Sequence, residues 1–272
     1  MKFNVISDIA KEPYLGVIYG TGGVGKTFLA KYSESPCFLP LEAGTNKLPK
    51  GIDRYDARPQ NIDDFFEMMR HLIANPGRCK TAIIDSMGFF ETLVYADILI
   101  KNPTTGGDKP KPITDISQYG FGSGYAMAMG YWQKLLKGVD ALQGKGMNVI
   151  FITHSHLISV PTESGDTYKM HGMALQKFGQ SDVPELLRRR SDWCLFMQST
   201  AKTSKIKNQF GGSKTVAMTG SRPQVIVHTR ATSSFFAKVR AADESKIQDY
   251  YEINPNDIDG SSKAIFNDIT GI

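Results

Sequence analysis

Residues 14–27 read Tyr14-Leu15-Gly16-Val17-Ile18-Tyr19-Gly20-Thr21-Gly22-Gly23-Val24-Gly25-Lys26-Thr27, and they carry two signals. Tyr14–Gly20 is a short β-prone run that stops at a glycine. Gly20–Thr27 then fits the spacing GxxxxGK[ST], and Lys26–Ser33 has helical character. Strand, glycine loop and helix in that order make a cradle for phosphate. Glycines let successive backbone N–H groups turn inward, and the helix offers its positive end. The spacing assigns Gly20, Thr21, Gly22, Gly23, Val24, Gly25, Lys26, Thr27 and Phe28 to a nucleotide. Lys26 would reach the β- and γ-phosphates and the Thr27 hydroxyl would ligate Mg²⁺. ATP and Mg²⁺ are the expected cofactors.

Working outward, Pro36–Glu42 reads as a second short strand. Apolar residues at Ile62, Phe65, Phe66, Met69, Leu72 and Ile73 recur at helical spacing, with Asp63 and Asp64 in the first turn and Pro76-Gly77 as the stop. Thr81–Asp85 (TAIID) is a compact buried strand followed by an apolar helix to about Ile100. Residues 101–117 read as a loop, Tyr125–Leu142 as a helix and Asn148–Thr153 (NVIFIT) as another buried strand. Strands apolar throughout and alternating with helices predict a parallel sheet. Beyond Ser155, short β-prone runs at Trp193–Met197, Thr215–Met218, Val225–Thr229 and Phe235–Val239 predict an antiparallel extension of that sheet. No linker separates these parts, so a single domain over 1–272 is expected, with a core of about 14–240.

Three further positions carry chemistry. Asp85 closes TAIID, where a carboxylate can hold Mg²⁺. Ser86 follows it where many ATP-hydrolysing machines have Glu, so the general base must lie elsewhere. Glu42, at the carboxyl end of its strand, is the candidate base, with Glu91 as competitor. His154, taken as the end of NVIFIT, is a candidate γ-phosphate sensor. His154 and His156 lack a third ligand at metal-site spacing.

The chain has 272 residues, 41% hydrophobic and 22% charged, which suits a globular protein. No apolar run approaches the ~20 residues that span a bilayer. No membrane role is expected. Cys37, Cys79 and Cys194 lie far apart, which argues against a disulfide framework and for the cytoplasm. The net charge of +5 is unevenly spread. Trp193–Ala242 contains no Asp or Glu but carries Lys202, Lys205, Lys207, Lys214, Arg222, Arg230, Lys238 and Arg240. Residues 251–272, with Glu252, Asp257, Asp259 and Asp268, read as an acidic tail. A basic stretch of this kind suits a surface that meets phosphate.

In this order of motifs the chain resembles the RecA-like ATPases. The carrying residues are the P-loop strand, the strand ending at Glu42, Asp85 followed by Ser86, and VIFITHSH (149–156) before a long loop. Phe235-Phe236-Ala237-Lys238-Val239-Arg240 resembles the Lys-x-Arg element that reaches a neighbouring subunit's γ-phosphate. More narrowly, the short core is similar to phage-encoded ATP-binding single-strand annealing recombinases. The resemblance covers about residues 14–240. It implies an α/β P-loop NTPase fold, with a RecA-like mostly parallel sheet, helices on both faces and a C-terminal antiparallel extension.

The resemblance further implies catalytic roles for Lys26, Glu42, His154, Lys238 and Arg240, and metal ligation by Thr27 and Asp85. It implies a ring or filament with ATP between subunits. The expected function is ATP hydrolysis coupled to single-stranded DNA in recombination or annealing, in the host cytoplasm if phage-encoded. A helicase-like motor and a nucleotide-switched regulator of protein partners are the alternatives. DNA would meet residues 101–117, with Lys101, Lys109, Lys111, Tyr119 and Phe121 in or near them. It would also meet residues 155–180, with Tyr168, Lys169, Lys177 and Phe178. Two departures stand out: His154 replaces an amide side chain, and no large DNA-binding module flanks the core. The missing Asp-Glu pair and the lack of a helical lid count against AAA+ machines.

Overall fold

The computed structural model describes residues 12–104, 106, 110–200, 203–207, 213–217, 223–240 and 244–271, with backbone alone for 203–207 and 213–217. In chain order, β1 (Leu15–Gly20) leads into α1 (Lys26–Ala30), β2 (Pro36–Pro40), β3 (Asp53–Arg54) and α2 (Ile62–Ala74). Then come β4 (Thr81–Asp85), α3 (Met87–Lys101), α4 (Ser123–Gln143), β5 (Asn148–Pro161) and β6 (Thr167–Met173). β7 (Lys177–Phe178), β8 (Ser181–Asp182) and α5 (Val183–Arg190) follow. The chain continues through β9 (Trp193–Thr200), β10 (Thr203–Lys207), β11 (Ser213–Ala217) and β12 (Gln224–His228), and ends with β13 (Lys238–Val239), β14 (Tyr250–Ile253) and α6 (Ile258–Thr270). The expected α/β class is the one observed, a mostly parallel central sheet with helices and antiparallel strands.

The chain divides into two compact units. The first comprises the chain up to Gly16, Glu34–Phe151 and Gln176–Ser191. Its strands run in the order β1-β5-β4-β2-β3, through the opening residues of β1 and β5. β2 pairs in parallel with both β3 and β4. α2 begins where expected because the Asn61 side chain accepts from the Asp64 N–H at 2.9 Å, satisfying an orphan donor of the first turn. Its periodic apolar face is buried. Phe65 meets Phe90 of α3 at 5.1 Å between ring centroids, and Phe90 meets Trp132 of α4 at 4.9 Å. Such tilted aromatic pairs add about 0.5–1.5 kcal/mol each beyond burial. Cys37 and Cys79 are buried here and Cys194 is buried in the second unit, none of them in a disulfide.

The second unit comprises Val17–Ser33, Ile152–Leu175 and the chain from Asp192 onward. Strand order is β14-β12-β9-β1-β5 through the closing residues of β1 and β5, with β13 on β9 and β6 on β5. β9 pairs antiparallel with β12 and β13, and β12 with β14. Trp193–Met197 are all buried. β10 and β11 form an antiparallel hairpin of their own.

Two sequence expectations change. β5 does not stop at Thr153 but runs to Pro161, so His154 lies inside a strand. Residues 155–161 pair antiparallel with 167–173, closed by a turn in which the Thr162 N–H donates to the Asp166 carbonyl at 2.7 Å. Much of the expected loop 155–180 is therefore a hairpin. Residues 251–272 are likewise no plain tail, since they complete β14 and supply α6. Among its acidic residues α6 keeps an apolar face, and Ile265, Phe266 and Ile269 are buried, with Phe266 6.2 Å from Trp193. No helix among the described residues is long and apolar enough to cross a membrane.

Phe266→Ala should cost about 3–5 kcal/mol of stability, read by urea unfolding, because it opens a cavity against Trp193. A dispensable tail would give no change.

Candidate functional site

The phosphate loop lies wholly in the second unit. β1 enters it flush against β9: a Cβ on Gly20 would stand 2.0 Å from the Met197 carbonyl oxygen, so only glycine fits. At the other end Gly25 has φ 96°, a left-handed conformation that costs other residues strain, and it caps α1. Val24 is buried between them. Gly22, Gly23 and Gly25 are exposed, and a Cβ on any of them would meet nothing within 4 Å. The loop thus presents bare backbone to open space.

Lys26 is only 6% exposed. Its Nζ donates to the Gly20 carbonyl at 3.1 Å and to the Thr21 carbonyl at 2.8 Å, and it stands 3.5 Å from His154 Nδ1. The cation is held over the loop by carbonyls, which a phosphate can replace. Thr27 follows it, half-buried at the start of α1. Phe28 is engaged on α1 itself, with the Lys31 ammonium 3.4 Å from its ring centroid and Tyr32 edge-on at 5.5 Å.

His154 is exposed, and its carbonyl accepts from the Ala174 N–H at 2.8 Å, which fixes the strand at that point. Lys238 lies on β13, opposite Cys194 of β9. The Arg240 N–H donates to the Asp192 carbonyl at 2.9 Å, and its side chain is exposed. The approach to β13 is clamped from β1. The Tyr19 hydroxyl donates to the Phe236 carbonyl at 2.5 Å and accepts from the Phe236 N–H at 3.1 Å. β1 therefore anchors both the phosphate loop and the Lys238/Arg240 segment.

Asp85 and Glu42 belong to the first unit. The buried Asp85 closes β4, and its carbonyl accepts from the N–H groups of Leu41 (2.7 Å) and Glu42 (3.1 Å). The Ser86 hydroxyl donates to Glu42 Oε1. The structure thus brings Glu42 to the residue after Asp85, where the sequence lacks Glu. Glu91 faces inward instead. Burial pushes its carboxyl up to about 7, partly offset by the Gln176 N–H, which it accepts at 2.8 Å, and by Tyr95.

Several expected nucleic-acid contacts are otherwise occupied. Tyr119 is buried, its hydroxyl donating to the Asn102 carbonyl at 2.5 Å, so it packs rather than stacks on a base. Lys101 pairs with Asp97 at 2.7 Å. On α5, just beyond these segments, Arg188 and Arg189 pair with Glu185, and Arg190 with Asp140. Arg230 pairs with Asp249 at 2.8 Å. Lys169 donates to the Ser159 hydroxyl at 2.7 Å. Phe121 is fully exposed, Tyr168 partly so, and Phe178 is 49% exposed and stacked on Tyr125. Lys109, Lys202 and Arg222 lie outside the described residues, as do the side chains of Lys205, Lys207 and Lys214.

A family model described as an AAA domain matches residues 12–241. The chain belongs to the AAA domain family. A search of curated proteins gives no match. Membership in an ATP-binding and ATP-hydrolysing family corrects the weight placed on the missing Asp-Glu pair, which does not exclude the chain from an AAA family.

The residues present fit ATP and Mg²⁺. In the second unit the open glycine backbone and Lys26 suit polyphosphate, and the Thr27 hydroxyl is a hard oxygen donor of the kind Mg²⁺ takes; in the first unit the Asp85 carboxylate is another such donor. Among the described residues there is no cluster of three or more His, Cys, Asp or Glu able to hold a metal by itself.

Lys26→Ala should lower ATP turnover by at least ~10²-fold, the scale of losing one positioned donor at a developing charge. Glu42→Gln should lose turnover while retaining binding of a fluorescent ATP analogue. Wild-type turnover in Lys26→Ala would remove the assignment of the loop.

Proposed function

We propose that this AAA domain hydrolyses ATP in response to single-stranded DNA, as part of recombination or strand annealing, in self-associated rings or filaments. The observation that carries this reading is the course of β5. His154 stands 3.5 Å from Lys26, and seven residues further the same strand is still running, now as one arm of an exposed hairpin. One rigid element therefore joins the phosphate loop to a surface bearing Tyr168 and Lys169. A shift of His154 on loss of the γ-phosphate would be carried directly into that hairpin. The open rings of Phe121 and Phe178 supply sequence-tolerant stacking, worth about 1–3 kcal/mol per base.

By the order of the motifs, Lys26 and the loop N–H groups bind the phosphates, Thr27 and Asp85 hold Mg²⁺, and Glu42 orients the attacking water. Lys238 and Arg240 act on the γ-phosphate of an adjacent copy. Charge stabilisation by a trans-acting arginine is worth about 10³–10⁵ in rate.

A second reading, a nucleotide-switched regulator of protein partners, draws support from the ion-paired arginines of α5. One assay separates the two. Turnover is measured with and without oligothymidylate for wild type, Lys26→Ala, Arg240→Ala and an equal mixture of the two variants. DNA should stimulate the wild type, each variant alone should be inactive, and the mixture should recover activity because intact loops meet intact arginines. Turnover indifferent to DNA would favour the regulator, and an inactive mixture would remove the trans role of Arg240.

A further inference from the structure

Several bonds converge on Gln176, the residue at which the chain enters the segment of Lys177 and Phe178. Its N–H donates to Glu91 Oε2 at 2.8 Å, and its side-chain amide donates to the Tyr125 carbonyl at 2.8 Å. Its amide oxygen accepts from the Tyr95 hydroxyl at 3.1 Å, and its carbonyl accepts from the Val183 N–H at 3.0 Å. Gln176 is buried. Two residues on, the Phe178 ring lies over Tyr125, with centroids 4.9 Å apart and planes 18° from parallel. That ring occupies the space a Cβ on Gly122 would need, 2.1 Å from the nearest ring carbon. The groups that hold Gln176 therefore also hold one ring of an open two-ring stack. All of them lie in the first unit.

We propose that Glu91 is a positioning residue: by holding Gln176 it fixes the Phe178–Tyr125 stack as a preformed surface for a nucleobase of a single strand, and loss of its proton releases that surface. The proposal rests on the single-strand reading above. A ring already fixed in place spares the ordering cost that a mobile aromatic would incur on binding. Gly122 and Tyr125 are shaped for the fixed position, which indicates that the stack is built and not incidental.

The direction of the proton effect follows from burial. Held against Gln176, the Glu91 carboxyl titrates near 7, and once released into water it returns toward its ordinary value of 4.5. The state that binds a proton more tightly gains as protons are added. Protonated Glu91 therefore favours the held arrangement, and raising pH through about 7 loosens it. Tyr95 faces the carboxyl from its own helix and Tyr125 and Asp115 lie near Tyr95, while Lys177 is engaged with Asp182 at 3.4 Å. Among the described residues, the Gln176 N–H and the Tyr95 hydroxyl are the groups that offset the burial of the Glu91 carboxyl. The carboxylate form is thus the costly one.

Glu91→Gln keeps an oxygen to accept from the Gln176 N–H but cannot ionise, so it should stay held at every pH. Gln176→Ala removes both side-chain bonds and should be loose at every pH. Two measurements on the full chain, at pH 6 and pH 8, test this. The first is hydrogen exchange of the peptide covering 174–180, corrected for intrinsic rates. The second is binding of a labelled oligothymidylate. Wild type should lose protection between pH 6 and pH 8 while Glu91→Gln keeps it. Oligothymidylate should bind Glu91→Gln equally at the two pH values, with wild type about threefold or more weaker at pH 8 than at pH 6. Histidine titration is common to both proteins and cancels in the comparison. Parallel exchange in wild type and Glu91→Gln would overturn the role of Glu91. Exchange as expected, with no oligothymidylate binding by any form, would overturn the single-strand reading and leave the hold on Gln176 in place.

Discussion

The close approach of Gly20 to β9 is the constraint on which the nucleotide side of this molecule depends. With a backbone carbonyl 2.0 Å from where a Cβ would be, β1 can lie against Met197 only as glycine. The chain then turns at once, and Gly22, Gly23 and Gly25 present bare backbone to open space before α1 takes over. Lys26 reaches back across that turn to the Gly20 and Thr21 carbonyls, so the loop is closed by its own cation. One residue earlier, Tyr19 clamps Phe236 and so fixes the start of β13. A single register of β1 thus sets both the phosphate cradle and the exposed Arg240.

The first unit solves a separate problem. With Ser86 after Asp85, a general base for ATP hydrolysis has to come from another strand. β2 and β4 are parallel neighbours, with Pro40 opposite Asp85, so their carboxyl ends come out together. The Asp85 carbonyl takes the N–H groups of Leu41 and Glu42, and the Ser86 hydroxyl takes the Glu42 carboxylate. Ser86 therefore holds the carboxylate of Glu42, the base we propose.

Local signals made much of this legible in the sequence. The strand and helix on either side of the glycine loop, TAIID and the periodic face of α2 each depend on residues within one element, and each forms where expected. What escaped depends on partners far along the chain. Residues 155–161 form a strand because 167–173 pair with them, and a polar run such as His154-Ser155-His156 gives no hint of that. The helix over 258–270 was hidden because acidic residues outnumber basic ones there while Ile265, Phe266 and Ile269 face inward. Glu91 read only as a competitor to Glu42 for the role of base. Its inward role needs Gln176, 85 positions away, and no spacing rule connects the two. Charge was the least faithful guide, since Lys101 is spent on an ion pair with Asp97 and Arg230 on one with Asp249.

The central claim is that the loop from Gly20 to Thr27 holds the phosphates of ATP. A structure determined with Mg²⁺ and a non-hydrolysable ATP analogue tests it most directly. Lys26 Nζ should leave the Gly20 and Thr21 carbonyls for the β- and γ-phosphates, with Thr27 on the metal. Electron density for the analogue elsewhere, or Lys26 still bonded to its own loop beside a bound nucleotide, would contradict the account.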